Sequence, residues 1–195
     1  MSQVSPEGLS KGIKLIIIII AIGVIVEFLP EKYKVLPNLT VGGNTSEVIN
    51  KNLSSEVYRV SNVVDGDTVD VQSEGATDRV RLLGIDTPET VDPNRPVGCY
   101  GKEASARAKE LMLNQNVRLE FDSSQAHRDK YDRLLAYIYL EDGQMINRKL
   151  VAEGYAYEYT YNSPYKYQKD FKGIEAIAKS LNRGLWSPDT CNGTK

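Results

Sequence analysis

The chain has 195 residues, a formal net charge of −2 at pH 7 and a hydrophobic content of 41%. This composition predicts one globular domain preceded by a leader. From Glu56 onward the chain has 19 Lys and Arg residues against 22 Asp and Glu residues, a balance of −3 that excludes a uniformly basic surface for coating nucleic acid. The only histidine is His127, which we interpret as an exposed loop residue. Zinc sites built on several histidines and Ser–His–Asp triads therefore have no support.

Near the N-terminus, Leu15–Val26 is an uninterrupted run of 12 apolar residues. A signal-peptide core has about 7–15 residues and a membrane span about 20, so the length favours a cleaved signal peptide within residues 1–29. No clear cleavage site follows the run, however, and Lys14 and Glu27 bracket it as interface residues of an uncleaved anchor would. Either interpretation predicts a domain on the extracellular face, anchored through residues 13–29 or secreted.

After this segment, residues 30–55 are rich in Pro, Gly, Ser, Thr and Asn and predict a flexible linker. The periodicity beyond it predicts strands at Val57–Val64, Val69–Ser73, Asp78–Ile85, Val117–Phe121 and Leu134–Leu140, and helices at Gly101–Asn114, Met145–Gly154 and Gln168–Leu181. Three strands, a helix, two strands and two helices is the order expected of an α+β, mainly β protein. Its centre is a five-stranded OB-fold barrel with three helices, preceded by the N-terminal hydrophobic helix and linker.

Acidic residues stand at the ends of the first predicted strands, beside turns. Carboxylates at strand ends converge when strands pair, so Asp67 and Asp86 are candidates to share one hard cation. Ligands that are all oxygen favour calcium or magnesium over zinc. Glu89 follows the turn fixed by Pro88 and is a candidate general base, and Arg81 offers a planar fork for a phosphate. Together these groups indicate phosphodiester hydrolysis, although a D-G-D-T segment alone is also an ordinary turn.

Several segments of the chain resemble the staphylococcal nuclease (thermonuclease) family. They are VVDGDTVDV (63–71), RVRLLGIDTPET (79–90), YGKEAS (100–105), RDKYDRLLAYIY (128–139) and GLW (184–186). The resemblance covers about residues 56–188, which we take as the nuclease-like domain, with 189–195 as a C-terminal tail. It implies an OB barrel with three helices and a calcium-dependent endonuclease that acts on DNA and RNA and leaves 3′-phosphate ends.

The resemblance also implies roles for individual residues. The metal ligands fall on Asp67, Asp86 and the main-chain oxygen of Thr87, the general base on Glu89, and the phosphate-binding arginines on Arg81 and Arg133. Contacts to the bound nucleotide fall on Lys130, Tyr131, Tyr159 and Tyr161. The family usually has Gly where this chain has Asp132, whose carboxylate either engages Arg133 or faces solvent.

Two other features extend this interpretation. Six tyrosines lie between Tyr155 and Tyr167, and they either cover the barrel or offer phenol rings on which bases stack without sequence selection. Cys99 and Cys191 are the only cysteines, and in an exported chain they predict a disulfide. Two free thiols are the expectation only for a domain that faces the cytosol.

The sequence thus leads to an exported calcium-dependent endonuclease. Its expected partners are DNA and RNA, single-stranded or locally unpaired, and a membrane if the N-terminal segment stays uncleaved; we expect a monomer. The alternative is a non-catalytic OB-fold module that binds nucleic acid or serves as a scaffold, and a second is a surface protein that binds a partner chain. The presence of all five catalytic and metal-binding side chains favours the enzyme.

Overall fold

The computed structural model describes residues 53–90 and 96–194. Its strands are β1 (Tyr58–Asp65), β2 (Thr68–Ser73), β3 (Ala76–Leu82), β4 (Ile85–Asp86), β5 (Asn116–Glu120), β6 (Leu134–Leu140) and β7 (Tyr157–Glu158). Its helices are α1 (Gly101–Met112), α2 (Ile146–Glu153) and α3 (Gln168–Ser180), followed by a 3₁₀ turn at Gly184–Trp186. Five strands close into a barrel in the order β1-β2-β3-β6-β5. This confirms the predicted OB fold with three helices.

The parallel pair of the barrel, β3 with β6, determines where its arginines lie. Val80 is opposite Leu134, and both side chains are buried. Because side chains alternate along a strand, Arg81 and its partner Leu135 lie on the outer face of the barrel. Arg133 lies directly before β6, in the turn that leads into this strand.

The predicted strand Asp78–Ile85 was too long. Strand β3 ends at Leu82, the chain turns, and Ile85 begins β4, which pairs with β7 in a separate two-stranded sheet. Gly84 makes this turn with φ at +79°, and a Cβ there would lie 2.6 Å from the Tyr165 ring. The apolar run continues through the turn, so hydrophobicity alone could not show the break.

The core fills the barrel and the space between it and the helices. Tyr137, Phe171, Leu82 and Ile138 are among its largest fully buried side chains, and each such burial contributes about 1.5–3 kcal/mol. Helix α3 faces this core through Phe171, Ile174 and Ala178. Ile177, and Leu181 at the C-terminal end of the helix, are exposed.

A disulfide joins Cys99, just before α1, to Cys191 near the C-terminus, 92 residues later. This confirms the predicted pairing and excludes the alternative of two free thiols. In the part of the chain that the structure describes, no helix is long and apolar enough to cross a membrane. The predicted signal or anchor segment, residues 1–29, lies outside that part.

Candidate active site

The turn between β1 and β2 fixes the first candidate metal ligand, Asp67. Its Oδ2 accepts hydrogen bonds from the Thr87 amide at 2.8 Å and the Thr87 hydroxyl at 3.1 Å. Its Oδ1 accepts a bond from the Thr68 hydroxyl at 3.0 Å. The preceding Gly66 is required sterically, since a Cβ there would lie 2.8 Å from the Thr87 side chain. The D-G-D-T segment is therefore a turn that also orients a buried carboxylate.

Arg81 brings the two candidate metal ligands together. Its Nη2 lies 3.1 Å from Asp67 Oδ2 and 3.1 Å from Asp86 Oδ1. Those two oxygens are therefore no farther apart than twice 3.1 Å. Nη1 of the same guanidinium donates to the carbonyls of Leu82 and Ile85, each at 2.8 Å. The turn that ends β3 thus holds Arg81 between two carboxylates that come from different parts of the chain.

The groups predicted to hold a metal are oxygen donors, which are the ligands that calcium and magnesium take. A cationic nitrogen already lies between the Asp67 and Asp86 carboxylates, so the two oxygens converge on a place where positive charge is stabilised. Thr87, whose main-chain oxygen was predicted as a third ligand, is buried beside them. Within residues 53–90 and 96–194 no group of three or more His, Cys, Asp or Glu side chains is arranged to hold a metal. A cation here would complete its shell with main-chain, substrate and water oxygens.

The candidate base, Glu89, lies on the segment that follows β4. Its Oε1 accepts a hydrogen bond from the Thr90 amide at 2.9 Å, and its main-chain oxygen accepts one from the Gly98 amide at 2.8 Å. A Cβ at Gly98 would lie 2.7 Å from the Pro88 side chain. Glycine at this position therefore allows the segment that carries Cys99 to pack directly against the Glu89 backbone.

Asp65 belongs to the same acidic cluster, although it was not among the predicted site residues. Its Oδ1 accepts bonds from the Gly66 amide at 2.7 Å and the Thr90 hydroxyl at 2.8 Å. Burial raises the pKa of Asp65, and the nearby Asp67 and Glu89 carboxylates raise it further. The sequence placed Asp65 near the others but gave no sign that its side chain reaches Thr90, 25 residues later.

The second arginine, Arg133, is held by an aspartate of its own turn. Its Nε and Nη2 each lie 2.7 Å from Asp129 Oδ2, and its guanidinium lies over the Tyr131 ring, 5.3 Å from the centroid. Asp132 does not engage it: the Asp132 side chain is 87% exposed and lies 3.7 Å from Arg128. Of the two alternatives for Asp132, the solvent-facing one is therefore correct.

The predicted nucleotide contacts form an exposed aromatic surface beside Arg133. Tyr131 and Tyr161 are 68% and 65% exposed, and Tyr159 is 39% exposed. The ring centroids of Tyr159 and Tyr161 are 6.4 Å apart, and Lys130 Nζ lies 5.0 Å from the Tyr131 ring centroid. The neighbouring Tyr131 and then Tyr161 raise the pKa of Lys130. The structure thus brings Lys130, Tyr131, Tyr159 and Tyr161 into one region.

The remaining tyrosines of the cluster are structural. Tyr157 and Tyr165 are buried, Tyr155 stacks on Tyr100, and Tyr167 stacks on Phe171. The tyrosine run therefore divides into rings that pack on the domain and rings that stay exposed. His127 is exposed, as predicted, with its ring 4.4 Å from that of Phe121.

A buried polar network, which the sequence did not indicate, supports this segment. Glu120 is fully buried at the end of β5, where it accepts bonds from the hydroxyls of Tyr139 and Tyr167 and pairs with Lys166. Asp122 accepts bonds from the Tyr137 hydroxyl at 2.8 Å and the Lys166 amide at 2.7 Å. Buried carboxylates need such partners. The network therefore fixes the end of the tyrosine run, just before α3, to the barrel.

An OB barrel that gathers Asp67, Asp86, Arg81 and Glu89 at one edge has the components of a phosphodiester hydrolase. Comparison with known proteins agrees: residues 79–188 match the family model described as "Staphylococcal nuclease homologue". The chain is 43% identical to a thermonuclease of Staphylococcus hyicus, over 70% of this chain and 79% of that protein. It is 47% identical to a thermonuclease of Staphylococcus intermedius, over 67% of this chain and 76% of that protein.

A relative from another genus gives a similar result. The chain is 46% identical to the endonuclease YncB of Bacillus subtilis (strain 168), over 64% of this chain and 58% of that protein. The chain therefore belongs to the staphylococcal nuclease family. It is a nuclease, a hydrolase of phosphodiester bonds.

Proposed function

We propose that the protein is a calcium-dependent endonuclease that cleaves DNA and RNA and leaves 3′-phosphate ends. The observation that carries the proposal is the position of Arg81 Nη2, 3.1 Å from both Asp67 and Asp86. One phosphate-binding group and two oxygen ligands thus meet at a single point. The resemblance to the staphylococcal nuclease family supports the finer assignments of metal, substrates and products.

In this proposal Asp67, Asp86 and the Thr87 main-chain oxygen hold calcium. When bound, the ion offsets the negative charge of the scissile phosphate. Glu89 accepts the proton of the attacking water, whose oxygen forms the new bond to phosphorus. The bond between phosphorus and the 5′-oxygen breaks, and that oxygen takes a proton from solvent. The phosphate remains attached to the 3′-oxygen of the other product.

The two arginines bind the phosphate oxygens as negative charge develops on them. The Nη1 bonds of Arg81 to two carbonyls fix the plane of its guanidinium, so little reorganisation is needed in the transition state. Arg133 is oriented by its ion pair with Asp129 and by the face of the Tyr131 ring. Because the carbonyls use Nη1, the edge of Arg81 that binds two phosphate oxygens in this proposal is Nε with Nη2, and Nη2 leaves the two carboxylates when the cation binds them. An ammonium group offers no such planar edge.

Substrate affinity comes from local contacts rather than from overall charge. The exposed rings of Tyr131, Tyr159 and Tyr161 offer faces on which unpaired bases stack. Lys130 supplies a cation beside them. We therefore propose single-stranded or locally unpaired DNA and RNA as substrates, cleaved with little sequence preference by a monomer.

We further propose that the domain works outside the cell, either tethered through residues 13–29 or secreted after cleavage. The Cys99–Cys191 disulfide supports this location, since disulfides persist in oxidising compartments. Fractionation of cells that express the full chain separates the two cases. A full-length membrane-bound band supports the tether, and a shortened product in the medium supports secretion.

The test of the activity is to incubate the full chain with plasmid DNA and with single-stranded RNA, in calcium and in chelator. We expect both substrates to be degraded in calcium only. The DNA products should be extended by a polymerase only after phosphatase treatment, because a 3′-phosphate blocks extension. Binding without cleavage would instead support the alternative, a non-catalytic OB module.

A further inference from the structure

Thr90 makes two contacts that connect the candidate base to a buried carboxylate. Its amide donates to Glu89 Oε1 at 2.9 Å, and its hydroxyl donates to Asp65 Oδ1 at 2.8 Å. Asp65 is buried at the end of β1 and is itself held by the Gly66 amide at 2.7 Å. A continuous chain of hydrogen bonds therefore runs from the barrel to the Glu89 carboxylate.

We infer that Thr90 is a positioning residue: its hydroxyl anchors the backbone to Asp65 so that its amide holds the Glu89 carboxylate in place for catalysis. This inference rests on the proposed role of Glu89 as the general base. It assigns Asp65 a function distinct from metal binding, which is to be the fixed point against which the segment is held.

The local structure explains why Glu89 needs such an anchor. Glu89 and Thr90 lie after β4, outside the strands and helices of the described residues, so individual hydrogen bonds rather than a strand ladder set their positions. A general base that populates several rotamers spends less time beside the attacking water. Small displacements of a catalytic group lower the rate by large factors. A hydroxyl bond to a buried carboxylate is a charge-assisted bond, which is stronger than a neutral one.

Threonine also supplies the packing that this position needs. A Cβ at Gly101, the first residue of α1, would lie 2.8 Å from Thr90 Cγ2, so the methyl group lies against the start of that helix. Valine keeps this methyl group and the backbone amide but removes the hydroxyl. Serine keeps the hydroxyl and removes the methyl group. The two substitutions therefore separate positioning from packing.

The experiment measures kcat and KM for single-stranded DNA with Thr90→Val and Thr90→Ser. Thr90→Val should lower kcat about 10-fold, the size expected for one hydrogen bond to a charged group, while KM and the calcium concentration needed for activity stay the same. Thr90→Ser should retain most of the activity. Thr90→Ala removes both groups, so if the valine variant does not fold, the comparison of Thr90→Ala with Thr90→Ser isolates the hydroxyl.

A double-mutant cycle shows whether Thr90 acts through Glu89. In a Glu89→Gln background, Thr90→Val should change kcat by less than about 2-fold, because the group that it positions has already been removed. Losses that multiply in full, or equal losses in Thr90→Val and Thr90→Ser, would overturn the inference. If the wild-type chain cleaves and Thr90→Val is as active, only the role of Thr90 is wrong. If the wild-type chain does not cleave, the proposed function and the inference both fail.

Discussion

The backbone amide of Thr87 donates a hydrogen bond to Asp67, 20 residues earlier in the chain, at 2.8 Å. This bond connects the turn after β1 to the segment after β4. It makes the position of Asp67 depend on the position of Thr87 and of the adjoining Asp86. The candidate metal ligands are therefore one structural unit, in which a change to either carboxylate affects a shared site.

The first prediction concerns the metal ligands. Asp67→Ala and Asp86→Ala should each raise the calcium concentration that gives half-maximal activity, because each removes one of the two converging carboxylates. Asp189→Ala, an exposed carboxylate near the C-terminus, is the control and should leave the calcium requirement unchanged. An unchanged calcium titration in both site variants would contradict the assignment.

The second prediction concerns the base. Glu89→Gln keeps the size of the side chain and an oxygen that can accept the Thr90 amide, but it cannot take a proton at neutral pH. It should lower kcat by at least about 10²-fold, as expected for a lost general base. Thermal unfolding should show a midpoint close to that of the wild-type chain. Wild-type turnover in this variant would rule out Glu89 as the base.

The third prediction compares the two candidate phosphate-binding arginines with a third arginine on β3. Arg81→Lys and Arg133→Lys should each lower kcat/KM about 10²-fold, since lysine keeps the charge but loses the planar fork. Arg79→Lys is the matched control, because Arg79 lies on β3 two residues before Arg81 and has an ion pair with Asp70. The Arg79 side chain is half exposed, so its ion pair should contribute little to stability. Equal small effects at all three positions would show that only charge matters.

The sequence predicted that Asp67, Arg81 and Asp86 lie together, because the relevant signals are local. The turn residues around Asp67 and the segment from Arg81 to Glu89 each lie within a short stretch, and β1, β2 and β3 pair in chain order. The order of elements therefore implied that Asp67 and Asp86 would converge. The break at Gly84 was missed because it depends on contact with Tyr165, 81 residues later, which hydrophobic periodicity does not report.

The buried supports of the site were missed for the same reason. The Asp65–Thr90 bond and the Glu120 network each connect residues far apart in the chain. Their residue types, single acids and tyrosines, are equally common on a solvated surface. Only the fold shows that Glu120 is fully buried and Asp65 nearly so, and burial is what makes their hydrogen bonds necessary.

The fourth prediction concerns Asp132, which has φ at +65°. Glycine adopts this left-handed conformation without steric cost, aspartate tolerates it, and alanine tolerates it less well. Urea unfolding should therefore give Asp132→Gly a free energy of unfolding equal to that of the wild-type chain or higher by up to about 1 kcal/mol. The free energy of unfolding of Asp132→Ala should be lower than that of the wild-type chain. Activity should not change, because the exposed Asp132 side chain contacts Arg128 rather than Arg133. A large gain in activity for Asp132→Gly would mean that Asp132 does restrain Arg133.

The last prediction concerns the disulfide. Replacing both Cys99 and Cys191 by serine opens a loop with a sequence separation of 92, for which the chain-entropy model gives a loss of at most about 4–5 kcal/mol in the free energy of unfolding. Urea unfolding of the double variant should match that of the reduced wild-type chain. Thiol titration of the unfolded, unreduced wild-type chain should find no free thiol, and two titratable thiols would contradict both the bond and the argument for export.

The same bond should influence activity, because Cys99 is next to Gly98, whose amide holds the main-chain oxygen of Glu89 at 2.8 Å. Without the disulfide, the segment before α1 is no longer tied to the C-terminal tail, and it should constrain Glu89 less firmly. We therefore expect the Cys99→Ser/Cys191→Ser variant to lose kcat at temperatures where it is still folded, with an unchanged calcium requirement. If kcat falls only in parallel with the folded fraction, the disulfide stabilises the domain without positioning the base.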